Sequence, residues 1–321
     1  MIEFKGVYKT YAGTKEPVVK DLSFVVEEGE ICVLVGPSGC GKTTSMRMVN
    51  RLVEISSGEI LIDGEPNTEI SATELRRKIG YAIQQTGLFP HRTIAENVGT
   101  VPRLLEWDKS SIRSRTNELL DLVGLDPDTY RDRYPAELSG GQQQRVGVAR
   151  AMAADPPIML MDEPFGAVDP ITRERLQEEF LNIQKNIKKT IVFVTHDIDE
   201  AITMGDKIAI LKEGGVLAQY DTPANILSDP DSEFVSSFVG SDRILKRLSL
   251  TRVEDMDLAP TDGAANGEAD SLPRIAGRTS ARDALSQLIG SGETRAVVET
   301  KDHKRLLTMD ALESLSRARN A

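Results

Sequence analysis

Short, unbroken apolar runs recur along the chain, set between stretches whose apolar positions repeat at helical spacing. Ile31-Cys32-Val33-Leu34-Val35, Ile158-Met159-Leu160-Met161 and Ile191-Val192-Phe193-Val194 are too short for helices and predict strands buried on both faces. Lys42–Val49 predicts a helix directly after the first run, and residues 171–187, rich in Glu, Leu and Gln, predict one between the second and third. Strands alternating with helices predict an α/β fold with a covered parallel sheet. Between about 86 and 153 the buried strands vanish and the pattern turns helical, which predicts a helical insert. Thr93-Ile94-Ala95-Glu96 and Ser71-Ala72-Thr73-Glu74 have capping-box spacing. The stretch 108–123 carries Ile112, Leu119, Leu120, Leu122 and Val123 before Gly124, a C-terminal stop signal. Strand character returns at 207–211, followed by a Gly214-Gly215 turn.

A different unit begins near Leu245. Residues 254–273 are rich in Asp, Glu, Gly, Ala and Pro without periodicity, which predicts a linker. Beyond it, 279–290 reads as a helix, Ala296-Val297-Val298 as a strand and 309–317 as a helix. A chain of 321 residues holds one sizeable core plus an accessory unit. Its net charge of −11 argues against nucleic acid as a partner. Two cysteines, Cys32 in an apolar run and Cys40 in a glycine-rich loop, give no disulfide framework and suit a reducing compartment. The first residues lack a signal-peptide pattern, and no stretch reaches the ~20 apolar residues of a membrane-spanning helix. A peripheral cytoplasmic protein is expected.

Chemistry concentrates in three strings. Gly36-Pro37-Ser38-Gly39-Cys40-Gly41-Lys42-Thr43 lies between a strand and a helix, where a phosphate loop belongs. Its glycines let backbone N–H groups turn toward phosphates, and the following helix adds positive partial charge. Lys42 is placed to reach the β- and γ-phosphates of a nucleotide, and the Thr43 hydroxyl to ligate Mg²⁺. Asp162 and Glu163 end an apolar strand, so their carboxylates emerge at the edge where ligands bind. Asp162 is the candidate Mg²⁺ holder through water, and Glu163 the candidate general base. Leu138-Ser139-Gly140-Gly141-Gln142 opens a helix and makes a second anion-binding terminus, which one nucleotide does not need.

These strings, in this order, resemble the ATP-binding-cassette (ABC) family over roughly residues 1–250. The resemblance implies a P-loop NTPase cassette, with a RecA-like core, an antiparallel β part and a helical subdomain at about 86–153. It implies a homodimer of cassettes paired head to tail, each Leu-Ser-Gly-Gly element closing on the ATP held by the opposite phosphate loop. By the family pattern, Thr44 continues the phosphate loop and Gln84 contacts Mg²⁺ and the attacking water. His196 is the switch histidine supporting Glu163, and Asp169 belongs to the loop that crosses the dimer interface. Tyr11 corresponds by position to the aromatic that stacks on adenine, with a core or surface role as its alternative.

Three narrower strings, at 46–52, 86–91 and 238–248, look like importers of osmoprotectants of the glycine betaine, carnitine, choline and proline type. That resemblance implies two membrane permease subunits, an extracytoplasmic substrate-binding protein and a place on the cytoplasmic face of the inner membrane. Another small solute as cargo is the alternative reading, and a non-transport ABC ATPase a more distant one. Domain limits of 1–245 for the cassette, 246–275 for a linker or an eroded first CBS motif (at Arg252-Val253-Glu254-Asp255-Met256), and 276–321 for a single α+β CBS-like motif follow. Residues 246–321 carry 12 basic and 12 acidic side chains, so a cationic membrane sensor is not indicated. A vestigial or dimer-bracing tail stands beside a regulatory one.

Overall fold

The computed structural model describes residues 1–83, 87–260, 272–299 and 304–317. The chain divides into two compact units, Met1–Tyr220 and Asp221–Ala321. In the first unit the strands are β1 (Ile2–Lys9), β2 (Val19–Val26), β3 (Ile31–Val35), β4 (Ser57–Ile62), β5 (Glu65–Pro66), β6 (Ile79–Ala82), β7 (Ile158–Asp162), β8 (Thr190–Val194), β9 (Lys207–Lys212) and β10 (Val216–Asp221), the last ending at the boundary.

They form two sheets. One has the order β2-β1-β4-β5 with antiparallel pairs throughout; Phe4 stands opposite Phe24 on one side and Ile60 on the other. Apolar residues of β1 face inward at Ile2, Phe4 and Val7, and the Phe4 and Phe24 rings stack with centroids 4.5 Å apart. The other sheet has the order β10-β9-β3-β8-β7-β6. Its pairs β3–β9, β3–β8, β8–β7 and β7–β6 are parallel. Every residue of β3, β7 and β8 is buried, which is why these strands are continuous apolar runs rather than alternating ones. Between the sheets lies one core, filled by Ile2, Phe4, Leu22 and Ile60 from the first, Leu34, Leu160 and Val192 from the second, and Met46 and Val49 of the helix Lys42–Val49.

The expected insert is helical: Ile94–Val98, Thr100–Leu104, Lys109–Leu122, Pro127–Tyr130 and Gly140–Met152 are its α-helices. Thr93 and Glu96 make a reciprocal capping box, whereas at Ser71 only the hydroxyl-to-Glu74 half forms. Lys109–Leu122 stops at Val123, with Gly124 at φ 66 just beyond it donating to the Asp121 carbonyl.

In the second unit, helices Pro223–Ser228, Glu233–Val239 and Arg243–Leu250 precede a four-stranded sheet. Its strands are β11 (Ala259–Pro260), β12 (Arg274–Ala276), β13 (Arg295–Glu299) and β14 (Lys304–Thr308), in the order β11-β14-β13-β12. Helices Ala281–Ser291 and Met309–Arg317 complete it. The described part of the 254–273 stretch is packed: Met256 and Leu258 join a core with Val253, Leu288, Val298 and Leu307, and β11 pairs with β14. Three apolar residues spread over six positions carry no period, which is why the sequence there reads as a linker. Residues 261–271 lie outside the described ones.

Candidate functional site

β3 ends at Val35 and the chain turns through Gly36–Gly41 into the helix Lys42–Val49. A Cβ on Gly36 would lie 2.1 Å from the Leu211 carbonyl oxygen, so no other residue fits without moving β9. Gly41 caps the helix at φ 98, and its Cβ would meet the Val18 carbonyl oxygen at 2.7 Å. No side chain among the described residues caps this helix, which leaves its first N–H groups as an anion-binding end. Lys42 is largely buried, and its Nζ donates to the carbonyls of Gly36 at 2.7 Å and Pro37 at 3.0 Å, which draws the loop around the ammonium. Cys40 is buried below it, with Sγ 3.9 Å from Lys42 Nζ; burial pushes its thiol pKa up and the Lys42 charge pulls it back.

Two parallel strands away, β7 delivers Asp162 and Glu163 to the same edge. The Thr43 hydroxyl donates to Asp162 Oδ1 at 3.0 Å. Asp162 is only 1% exposed, and its Oδ2 accepts no hydrogen bond from any described residue; the Arg47 guanidinium stands 3.9 Å off. Burial raises the Asp162 pKa, while the Thr43 bond and the Arg47 charge lower it. Glu163 has φ 48, a left-handed conformation that costs a non-glycine residue on the order of 1–3 kcal/mol. Its N–H donates to the Val194 carbonyl at 2.9 Å, and its Oε1 lies 3.0 Å from His196 Nδ1. His196 follows β8 and is well exposed.

Ser38, Gly39, Gly41, Lys42, Thr43, Thr44, Glu163 and His196, with Val18, line an open cleft of ≈ 590 Å³. The structure therefore brings together the phosphate loop, the strand-end acids and the histidine. Among the described residues, the expected sites at Tyr11, Ser139–Gln142 and Asp169 are not in that lining. Ser139 caps the helix Gly140–Met152, forming a capping box with Gln142, and Gly140 is exposed with nothing near its missing Cβ. Asp169 caps the helix Pro170–Ile187 by accepting from the Thr172 N–H, a bond that lowers its pKa. Tyr11 is exposed, with Lys9 Nζ 4.9 Å from its ring centroid. Gln84 lies outside the described residues.

Two residues that sequence reading passed over stand at the site. Arg47 is one helical turn beyond Thr43, so it shares that face; its Nε donates to the Tyr81 hydroxyl at 3.3 Å. That i, i+4 spacing was the available signal. Gln144 reaches the backbone of Glu163 and Ala167, and nothing in three consecutive glutamines distinguishes it.

A buried lysine in a glycine-rich loop, a threonine–aspartate pair and a strand-end glutamate held by histidine define a nucleotide-phosphate site of the ATP-binding-cassette kind. The profile of the family described as ABC transporter matches residues 19–166. The osmoprotectant import ATP-binding protein OsmV of Salmonella typhimurium is 53% identical, over 81% of this chain and 69% of its own length. The glycine betaine/carnitine/choline transport ATP-binding protein OpuCA of Bacillus subtilis is 55% identical, over 80% and 67%. The glycine betaine uptake system ATP-binding protein YehX of Escherichia coli is 46% identical, over 91% and 92%. A solved dimeric ATP-binding cassette in a post-hydrolysis state, bound to ADP and Pi, superposes with a TM-score of 0.64 at 34% identity, over 69% of this chain and 98% of that one. The chain belongs to the ABC transporter family, as an ATP-binding subunit.

Proposed function

We propose that this chain is the ATP-hydrolysing subunit of an importer for a quaternary-amine or related osmoprotectant: glycine betaine, choline, carnitine or proline. The observation that carries the hydrolytic role is Glu163, whose carboxylate lines the phosphate-loop cleft 3.0 Å from His196 Nδ1. The cargo class is supported by the relatives, which are named for osmoprotectant, glycine betaine, carnitine and choline transport.

ATP phosphates would sit in the loop from Gly36 to Thr44, on backbone N–H groups at the start of the helix Lys42–Val49, with Lys42 supplying positive charge to the β- and γ-phosphates. Thr43 and Asp162, with Gln84, would hold Mg²⁺. The donor set fits a hydrated cation, because the buried Asp162 Oδ2 has no hydrogen-bond partner among the described residues while Oδ1 is held by the Thr43 hydroxyl. Mg²⁺ when bound neutralises phosphate charge in the transition state. Glu163 accepts a proton from the attacking water while the water oxygen bonds to the γ-phosphorus and the bond from that phosphorus to the leaving ADP oxygen breaks. His196 fixes the Glu163 carboxylate and contacts the γ-phosphate. Tyr11 stacks on adenine, and Ser139, Gly140, Gly141 and Gln142 meet the partner cassette's nucleotide, with Asp169 at the interface.

Two copies pair head to tail and dock on two permease subunits at the cytoplasmic face of the inner membrane, which an extracytoplasmic binding protein serves with cargo. No helix among the described residues is long and apolar enough to cross a membrane. A dimeric partner cassette is supported by the dimeric solved structure. Residues 1–245 are read as the cassette domain, 246–275 as a linker or eroded first motif, and 276–321 as a CBS-like unit. The helix-strand-strand-helix order of Ala281–Ser291, β13, β14 and Met309–Arg317 supports that last reading.

The test is Glu163→Gln. It should keep ATP binding, lower kcat by about 10²-fold or more, and accumulate an ATP-bound dimer in size-exclusion chromatography. Hydrolysis at the wild-type rate would remove the general base.

A further inference from the structure

The helix Gly140–Met152 carries, after its two opening glycines, three consecutive glutamines that point three ways. Gln142 closes the capping box with Ser139 and donates to the Tyr130 hydroxyl at 3.1 Å. Gln143 donates to the carbonyls of Pro135 and Leu138. Gln144 is the buried one, 5% exposed. Its Nε2 donates to the Glu163 carbonyl at 2.6 Å, and its Oε1 accepts from the Ala167 N–H at 2.9 Å.

One side-chain amide therefore clamps both ends of the turn Glu163–Ala167. That turn has an internal bond, Gly166 N–H to the Glu163 carbonyl at 3.1 Å. The Glu163 N–H is separately tied to Val194 at 2.9 Å, so both backbone groups of a residue at φ 48 are held. A left-handed non-glycine conformation persists only where the surroundings over-determine it. Beyond the sheet bond to Val194 and the turn's own Gly166 bond, Gln144 adds a restraint from a separate helix. Close packing accompanies it: a Cβ on Gly141 would come within 3.0 Å of the Ala167 carbonyl oxygen.

We infer that Gln144 is a positioning residue for hydrolysis, locking the Glu163 backbone to the helix that carries Ser139, Gly140 and Gly141. This inference rests on the reading of Glu163 as general base. A helix rises about 1.5 Å per residue, so Gln144 sits about 6 Å along the axis from Gly140. Displacement of the helix start, where the partner's nucleotide would bear on it, reaches the Glu163–Ala167 turn through the two hydrogen bonds of a single amide, one of them on the Glu163 carbonyl. Gln144 touches no residue of the phosphate loop among its described hydrogen bonds, so nucleotide binding is left to Lys42 and its neighbours.

Steady-state hydrolysis by the full chain tests this with Gln144→Leu, which keeps the volume and removes both bonds, and with Gln144→Ala. Glu163→Gln is run in parallel, with thermal melts of all variants. A misplacement of about 1 Å lowers a rate by about 10²-fold, so kcat should fall about 10- to 100-fold in both variants. KM for Mg-ATP should stay within about twofold and the melting temperature should be nearly unchanged in the leucine variant. Wild-type kcat in both Gln144 variants, with Glu163→Gln inactive, overturns the inference and leaves the general base standing. Loss of kcat, KM and melting temperature together assigns Gln144 a structural role only and likewise overturns it. Wild-type hydrolysis by Glu163→Gln instead removes the premise.

Discussion

Replacing Asp162 by Asn should stabilise the nucleotide-free protein while disabling it. The wild-type carboxylate is 1% exposed and, among the described residues, receives one hydrogen bond, from Thr43 at 3.0 Å, where an ionised carboxylate ordinarily takes several. Its Oδ2 has no hydrogen-bond partner among the described residues, and Arg47 at 3.9 Å is a half-exposed charge, too far for a hydrogen bond. Asn keeps the shape and the bond from Thr43, and exchanges a poorly satisfied charge for one unsatisfied neutral amide. Buried charged groups lose more than neutral ones when unpaired, so the exchange is worth about 1–2 kcal/mol in favour of the variant. For a unit of about 220 residues that is a rise of roughly 2–8 °C in melting temperature.

The pH dependence fixes the sign. Burial raises the Asp162 pKa above its ordinary value, so the native state binds the proton more tightly than the unfolded chain. Wild-type stability from this group is present below the unfolded pKa and lost as pH rises through the folded one. The advantage of Asp162→Asn should therefore grow with pH and shrink toward acid. Differential scanning calorimetry without nucleotide, across pH, is the assay, and Mg-ATP should raise the melting temperature of the wild type but not of the variant. A variant that melts below the wild type at neutral pH would refute the reasoning, because it would mean the carboxylate is fully satisfied.

Three other outcomes are expected. Gly36→Ala, whose Cβ would sit 2.1 Å from the Leu211 carbonyl oxygen, should abolish the Mg-ATP-induced thermal shift, and a normal shift would show the loop can yield. Glu200 is buried, accepts from Gln177 Nε2 at 2.9 Å, and has its pKa raised mainly by burial, so wild-type stability relative to Glu200→Gln should fall as pH rises through that raised value; a pH-independent difference in chemical-denaturation midpoints would contradict this. If the tail regulates transport, deleting residues 249–321 should change the osmolality dependence of uptake, and an unchanged dependence would leave the tail a bracing or vestigial role.

The parts of this fold that were legible in the sequence are those where one physical demand acts alone. β3, β7 and β8 are buried on both faces, so they read as bare apolar runs, and the phosphate loop and strand-end acids follow them directly. The antiparallel sheet was reachable only through family resemblance. β2 reads Val-Lys-Asp-Leu-Ser-Phe-Val-Val, and register shifts along β1 break the alternation that would expose it. In the second unit β11 and β12 have two and three residues, too few for a period. At the site, the Thr43–Asp162 bond joins residues 119 apart in sequence, which only the sheet order brings together. Which of Gln142, Gln143 and Gln144 turns inward depends on helix phase relative to a distant turn, and that is a property of packing.

Coupling of ATP hydrolysis at this cleft to osmoprotectant import is measured by uptake. Membrane vesicles carrying this subunit with its cognate permease would be loaded with Mg-ATP and offered labelled glycine betaine, choline, carnitine and proline. ATP-dependent accumulation of at least one of the four is expected, abolished by Lys42→Ala. No uptake of any of them while Lys42-dependent ATP hydrolysis persists would contradict the cargo assignment and leave only the cassette.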